Sequence, residues 1–327
     1  MTILSAGADD GGRRLDRVLR KALPDVPLSR IHRLLREGRV LVDKRPRDAA
    51  FRVRAGQEIA VPAAQETGPS AGPGAQGGAR TAPGALAILY ESPDLLAINK
   101  AAGVPVHGPA GSLDALVRAY LAPRLPPSLS FRPGPLHRLD QPTSGIVVFS
   151  ASLAGARRFS ALLREGKIRK QYLALVEGRV DLPGRWEDPL LRDREKRQTE
   201  VAAGGKTART GYTPLAWYPG GKDGCAGGCT LLLLEPETGR RHQIRAQAAF
   251  HGHPLAGDSV YGGRPLPDPP LPGPFKPPGP APPFLLHAWK LTGAGPLPPL
   301  EAPPPDYFLA FAQALFGPRA LRGKTRP

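Results

Sequence analysis

The stretch His137-Arg138-Leu139-Asp140-Gln141-Pro142-Thr143-Ser144-Gly145, followed at once by Ile146-Val147-Val148-Phe149, decides how the rest of the chain is read. A base, a guanidinium and a carboxylate stand almost side by side, and Pro142 and Gly145 then force a turn. The apolar run behind them has the length of a buried strand. A polar cluster set just before a buried strand is how an α/β or β-rich enzyme presents a reactive side chain on rigid scaffold. The spacing also fits a plainer arrangement, a capped turn in which Asp140 satisfies neighbouring backbone N–H groups. Spacing alone leaves both open.

Around this stretch the chain is long enough, at 327 residues, for two or three domains and one substantial core. Hydrophobic residues make up 41%, which excludes a disordered chain. A formal net charge of +17 and a pI near 10.4 point to a polyanionic partner, nucleic acid or an anionic membrane. No run approaches the roughly 18 apolar residues of a membrane span. Met1 to Asp10 carries Asp9 and Asp10 and no apolar centre, so no secretory signal is expected and the cytoplasm is the expected compartment. Cys225 and Cys229 share a Gly-rich stretch without a second ligand pair at zinc spacing, and read as free thiols. Neither His137 nor His242 has a carboxylate or thiol spaced to complete a metal site, and no phosphate-cradling GxxxxGK loop occurs. Neither metal nor cofactor is expected.

Residues 12–62 read as a small α/β domain. Leu15, Val18, Leu19 and Leu23 fall at helical spacing with Pro24 as the stop. Ser29 is placed to cap a second helix with the stripe Ile31, Leu34 and Leu35, ended by Gly38. Arg30, Arg33 and Arg36 point off that stripe, and short strands are expected over 40–42 and 58–61. An arginine-lined helix pair suits RNA, whose A-form grooves leave phosphate and shape to be read; a solvated helical hairpin is the plainer alternative. Residues 63–86 read as a flexible linker whose slack lets the two domains work on separate parts of a large RNA.

Residues 87–316 form the main domain, opening on a β-hairpin over 88–100. Helices are expected from Ser112, over 154–165, up to about His251 and over 307–316, with strands over 170–176, 230–235 and 284–291. Asp188 to Gly211 lacks periodicity and reads as loops and short strands. Residues 265–283 read as a polyproline excursion and 317–327 as a basic tail. The expected class is α+β, with a mixed, mainly antiparallel central sheet.

Three motifs, HRLD-x-x-TSG at 137–145, K-x-Y-x-A-L-V at 170–176 and TGR-x-HQIR at 238–245, stand in an order that resembles the RluA-type RNA pseudouridine synthases. G-H-P-L-x-G-D-x-x-Y-G at 252–262 and LHA at 286–288 extend the resemblance over nearly all of 87–316. Ala101 departs from the family's usual proline, and Gln247 stands where many relatives carry His. The pattern over 12–62 is similar to the αL RNA-binding domain of ribosome-associated proteins.

The resemblance implies cofactor-free isomerisation of uridine to pseudouridine in RNA. It implies Asp140 as the carboxylate that opens the reaction, either on the anomeric carbon or by removing a proton from the neighbouring carbon. Arg245 is implied as its ion-pair partner, and Tyr172 as the ring that stacks on the flipped base and serves in proton transfer from carbon 5. Arg138, His137 and Arg240, with Arg30, Arg33 and Arg36 of the small domain, are the expected RNA contacts, Arg138 filling the gap the flipped base leaves. Large-subunit ribosomal RNA is the implied substrate, because the appended domain resembles that of the ribosomal members; a monomer is expected. The alternatives are a tRNA-directed synthase, a non-catalytic RNA-binding or ribosome-assembly factor, and a nucleoside hydrolase. The hydrolase would want a second carboxylate about 5 Å or more from Asp140.

Overall fold

A computed structural model describes residues 1–62, 86–108, 110–193, 195, 198–220, 227–266, 283–295 and 297–317. The expected linker, polyproline excursion and basic tail lie almost wholly outside these residues.

In the small unit, β1 (Thr2–Ser5), α1 (Leu15–Ala22), α2 (Leu28–Arg36), β2 (Leu41–Val42), β3 (Arg45–Pro46) and β4 (Glu58–Val61) follow in chain order. The sheet runs β1-β4-β2-β3, antiparallel throughout. Leu15, Val18 and Leu19 of α1 meet Ile31, Leu34 and Leu35 of α2 over Val42, Ile59 and Val61, as the helical period requires. Two details differ from the sequence reading. The sheet begins at Thr2 rather than after position 12, because β1 is too short to show alternation and takes its register from β4. Helix α2 has Pro27, with its fixed φ, at the cap position, and Ser29 lies inside the first turn.

The main unit opens with β5 (Ile88–Glu91), β6 (Leu95–Lys100), α3 (Leu113–Leu121), β7 (Gly134–Pro135) and β8 (Ser144–Ser150). It continues with α4 (Leu153–Arg164), β9 (Ile168–Glu177), β10 (Gly184–Arg192), β11 (Thr199–Val201) and β12 (Lys206–Tyr218). It closes with β13 (Cys229–Pro236), α5 (Gln243–Phe250), β14 (Leu286–Gly293), β15 (Leu300–Glu301) and α6 (Asp306–Phe316). The sheet runs β11-β10-β12-β13-β9-β14-β8-β6-β5, with β15 beside β14 and β7 beside β8. Among the described residues every pairing is antiparallel except β14 with β8. The fold is therefore α+β with a mixed, mainly antiparallel sheet. Strand alternation sorts the two faces: Tyr172, Ala174 and Val176 of β9 pack towards α3 and α5, while Leu173 and Leu175 pack towards α6.

Residues 184–192 and 206–218 form long paired strands, not the loops and short strands read from the sequence. Strand β10 buries Trp186, Asp188 and Leu190 in alternation. One of the three is a carboxylate, which hides the apolar period; Gln247 Nε2 at 2.7 Å and His251 Nε2 at 3.2 Å satisfy it. Cys229 is disulfide-bonded rather than a free thiol. Cys225, also read as a free thiol, lies outside the described residues.

The two units touch directly. Buried Asp10 bonds to Ser128, Leu129 and Ser130, Asp9 accepts from the Leu153 amide at 3.0 Å, and Leu129 packs on the small unit's core. No helix among the described residues is long and apolar enough to cross a membrane.

Candidate active site

Asp140 sits in the turn between β7 and β8, and several clamps hold that turn. The Thr143 amide donates to the Asp140 carbonyl at 3.1 Å, and Gln141 exchanges two 2.9 Å bonds with Gly103. Beneath it, Lys100 is 1% exposed, and its Nζ donates to the carbonyls of Ala101, Val104 and Gln141 at 2.9 Å each. Burial pushes the Lys100 ammonium down to about 8, while the charge of Asp140 pulls the other way. Gly145 has φ of 110°, and a Cβ there would lie 2.2 Å from the Ala288 carbonyl oxygen. Only glycine lets β8 close on β14 directly after the turn. The Asp140 carboxylate makes no hydrogen bond to a backbone amide among the described residues, so the capped-turn arrangement is not what forms.

Arg245, on α5, faces Asp140 but is held chiefly by another acid. Its Nε and Nη2 bond Asp258 at 2.6 and 2.7 Å, and its Nη1 reaches Asp140 Oδ2 at 3.5 Å. The guanidinium lies between the rings of Tyr261 and Phe284, 4.7 and 4.6 Å from their centroids. Burial alone would depress it; the hydrogen bond and charge of Asp258, then the charge of Asp140, carry it above its ordinary value. His242 Nε2 lies 3.7 Å from Asp140 Oδ1, and its Nδ1 meets the Tyr261 hydroxyl at 2.9 Å. Burial, with Arg245 and Arg241 nearby, outweighs the pull of Asp140 and lowers its pKa, so the ring is neutral at physiological pH. The preceding loop is pinned by the Gln243 amide, which accepts from Arg240 N and Thr238 Oγ1 and donates to Arg209 O and Thr210 Oγ1.

Asp140, Tyr172, Arg245, Leu139, Leu286 and His242 line one cavity of about 280 Å³, near the lower end of the roughly 300–1,000 Å³ usual for small-molecule sites. Tyr172 stands in its wall, and burial, then the charge of Asp140, pushes its phenol far above the ordinary range. Arg138 and Arg240 are exposed at the rim, and Arg138 has no partner among the described residues. Lys170 shares β9 with Tyr172 and also lines the cavity without a partner among the described residues; burial lowers its pKa.

His137, expected as an RNA contact, lines the cavity but commits its ring to the fold. Its Nε2 accepts the Val148 amide at 3.1 Å, its ring stacks on Phe159, and its Nδ1 is buried. Arg30, Arg33 and Arg36 lie on α2, outside the cavity, with Arg33 engaged by Glu37 at 2.8 Å. The sequence reading missed Asp258 and Tyr261, whose only signal was their place in the 252–262 motif, and it missed Phe284, Lys100 and Lys170 as site residues.

Two histidines committed to the fold give a pH expectation. Burial pushes His137 down to about 3 and His287, which bonds Ser144 Oγ at 2.9 Å, down to about 4. Above about 6.5 each is neutral folded and unfolded. Below that the unfolded chain takes protons the fold refuses, so stability falls with acid, by about 1.4 kcal/mol per pH unit per histidine until the folded pKa is reached. Melting temperature should drop steadily between pH 6.5 and 4.5, with proton uptake on unfolding; a flat profile would contradict the assignment.

Residues 94–250 match the RNA pseudouridylate synthase family, and residues 13–59 match the S4 domain. The ribosomal large subunit pseudouridine synthase C of Escherichia coli (strain K12) is 33% identical over 80% of each chain, and that of Vibrio vulnificus (strain CMCP6) is 32% identical over 80% of each. The chain belongs to the RNA pseudouridylate synthase family. Human RNA pseudouridylate synthase domain containing 1 has the same fold, with a TM-score of 0.53 at 24% identity, over 71% of this chain and 88% of that one. Membership makes RNA the substrate and isomerisation of uridine the reaction, and the cavity lies within the matched residues except for Leu286.

Proposed function

We propose that this synthase isomerises uridine in large-subunit ribosomal RNA, with Asp140 as the carboxylate that opens the reaction. The observation that carries the assignment is a carboxylate free of backbone bonds in a cavity walled by Leu139, Tyr172 and Leu286 together with basic side chains, facing a guanidinium fixed by a second acid. Asp140 acts at the sugar, breaking the bond from N1 to the anomeric carbon; the base turns in the cavity and carbon 5 forms the new bond. The proton leaving carbon 5 is matched by one gained at N1, so nothing is consumed. Tyr172 is protonated at rest, so it is not a resting base. It holds the base by stacking, and relays the carbon-5 proton only by passing on its own to the carboxylate whose charge it feels. Arg138, Arg240 and Lys170 supply positive charge at and inside the rim for phosphates of the strand that delivers the nucleotide.

The ribosomal substrate is supported by the relatives' names, by the S4 match with Arg30 and Arg36 on its surface, and by the overall charge of +17. A hydrolase finds no support: the second acid, Asp258, is 1% exposed and spends both oxygens on Arg245. Pseudouridine mapping of total RNA with and without the gene tests the proposal. Sites lost from large-subunit RNA are expected; loss confined to transfer RNA would move the assignment there.

A carboxylate recessed in a cavity, as Asp140 is, is reached only by a nucleotide flipped from its stack, at a few kcal/mol. Arg138 stands at the rim with an uncommitted planar guanidinium, suited to stacking in the gap and pairing with phosphate. Arg138→Ala should lose far more activity on folded RNA than on an unstructured oligonucleotide, and Arg138→Lys should restore only part. Equal losses on both substrates would assign Arg138 to bracing the turn.

A further inference from the structure

The seam between the two units is built around one buried carboxylate. Asp10 is 0% exposed, and its oxygens accept from Ser128 Oγ at 3.1 Å, Leu129 N at 2.8 Å, Ser130 N at 2.9 Å and Ser130 Oγ, as well as from Gly7 N at 2.9 Å. Four of these five donors belong to the other unit. Burial alone would raise its pKa, but the bonds from Ser130, Leu129, Gly7 and Ser128 bring it below the ordinary carboxylate value. The charge is thus satisfied chiefly across the seam, by neutral donors of fixed geometry.

Four further contacts close the same joint. Arg13 Nη1 donates to the Ser130 carbonyl at 3.2 Å, and the Leu153 amide, at the start of α4, donates to Asp9 Oδ1 at 3.0 Å. Gly7 passes so close to the 126–130 loop that a Cβ there would lie 1.8 Å from the Pro127 carbonyl oxygen. Leu129 enters the small unit's apolar cluster. Contacts of this kind come from both sides of the joint and from several directions, so they fix rotation as well as distance. The captured loop then runs on through β7 into the 137–140 turn.

We propose that Asp10 is a specificity-determining positioning residue. By locking the S4 domain onto the 126–130 loop it fixes the displacement between the arginines of α2 and Asp140. The enzyme then modifies only uridines lying at one set position from the RNA element the S4 domain grips. This rests on the reading of Asp140 and of the S4 surface given above, and it replaces the idea of reach set by linker slack. Removing the lock should widen the choice of uridine without touching the chemistry.

The test uses the full chain as wild type, as Asp10→Asn and as Ser128→Ala/Ser130→Ala, which breaks the joint from the other side and leaves the S4 domain's own residues intact. Each is given ribosomal RNA from cells lacking the enzyme, and a short stem-loop carrying the mapped uridine. Small-angle scattering reports whether the units separate. Both variants should show a larger radius of gyration, wild-type kcat on the stem-loop, at least a tenfold loss of kcat/KM at the native ribosomal site, and new pseudouridines at uridines the wild type leaves alone. Separated units with unchanged site choice would overturn the proposal, as would variants that stay closed. A wild type inactive on both RNAs would instead overturn the reading of the catalytic site, and the proposal with it.

Discussion

Asp140→Asn should abolish pseudouridine formation, a loss on the order of 10⁴-fold or more, while leaving RNA binding and melting temperature almost unchanged. Asparagine keeps the size and shape of the side chain and removes its charge and its lone-pair reactivity. The fold has little to lose, because the carboxylate contributes no backbone bond, and its nearest polar contacts are Arg245 at 3.5 Å and His242 at 3.7 Å. The turn itself is held by Lys100, Gly103 and the Thr143 amide, none of which uses the Asp140 side chain. Single-turnover assays, filter binding and thermal melts on one preparation separate the possibilities. Substantial turnover by the asparagine variant would remove Asp140 from its role; a large fall in melting temperature would make it a structural acid.

Arg245→Met should be both inactive and unstable, and a double-mutant cycle should split the two effects. The single substitution strands Asp258, 1% exposed, without its bidentate partner, and Asp258→Met strands Arg245. Breaking a buried pair from one side costs about 3–5 kcal/mol, whereas replacing both partners with apolar groups of similar volume is often nearly neutral. Between the rings of Tyr261 and Phe284, Arg245→Met/Asp258→Met should therefore recover most of the lost stability. Activity should not return, since Asp140 then faces no guanidinium. A double variant that regains turnover would show that Arg245 serves only the fold.

The proposed catalytic constellation was legible where chemistry is written in consecutive letters. Asp140, Tyr172 and Arg245 stand in compact motifs, and the structure brings all three into one cavity. What a motif does not say is how a side chain divides itself among partners. The sequence offers Arg245 several acids, and the choice of Asp258 follows from the arrival of the 252–262 segment beside α5, a tertiary event without local trace. His137 is a second case: it lines the cavity beside Arg138, as its place in the motif suggests, but the sequence does not show that its Nε2 is spent on the Val148 amide. The hairpin of β10 and β12 was missed because strand periodicity is read from apolar letters, and its inward positions include Asp188. The lock at Asp10 was invisible because its partners stand near position 129.

The one parallel pairing among the described residues, β8 against β14, has a kinetic consequence. Ser144 and His287 are joined across this pair although they lie 143 positions apart in sequence. Pairing over such a span pays its loop-closure entropy before it gains any contact, so it forms late. During synthesis the turn bearing Asp140 has its antiparallel neighbour β6 early, but it lacks the strand against which Gly145 closes, and Leu286 of the cavity wall, until β14 emerges. A nascent chain of this synthase can therefore offer the S4 surface to RNA well before it can modify any, and competence should arrive as one late step.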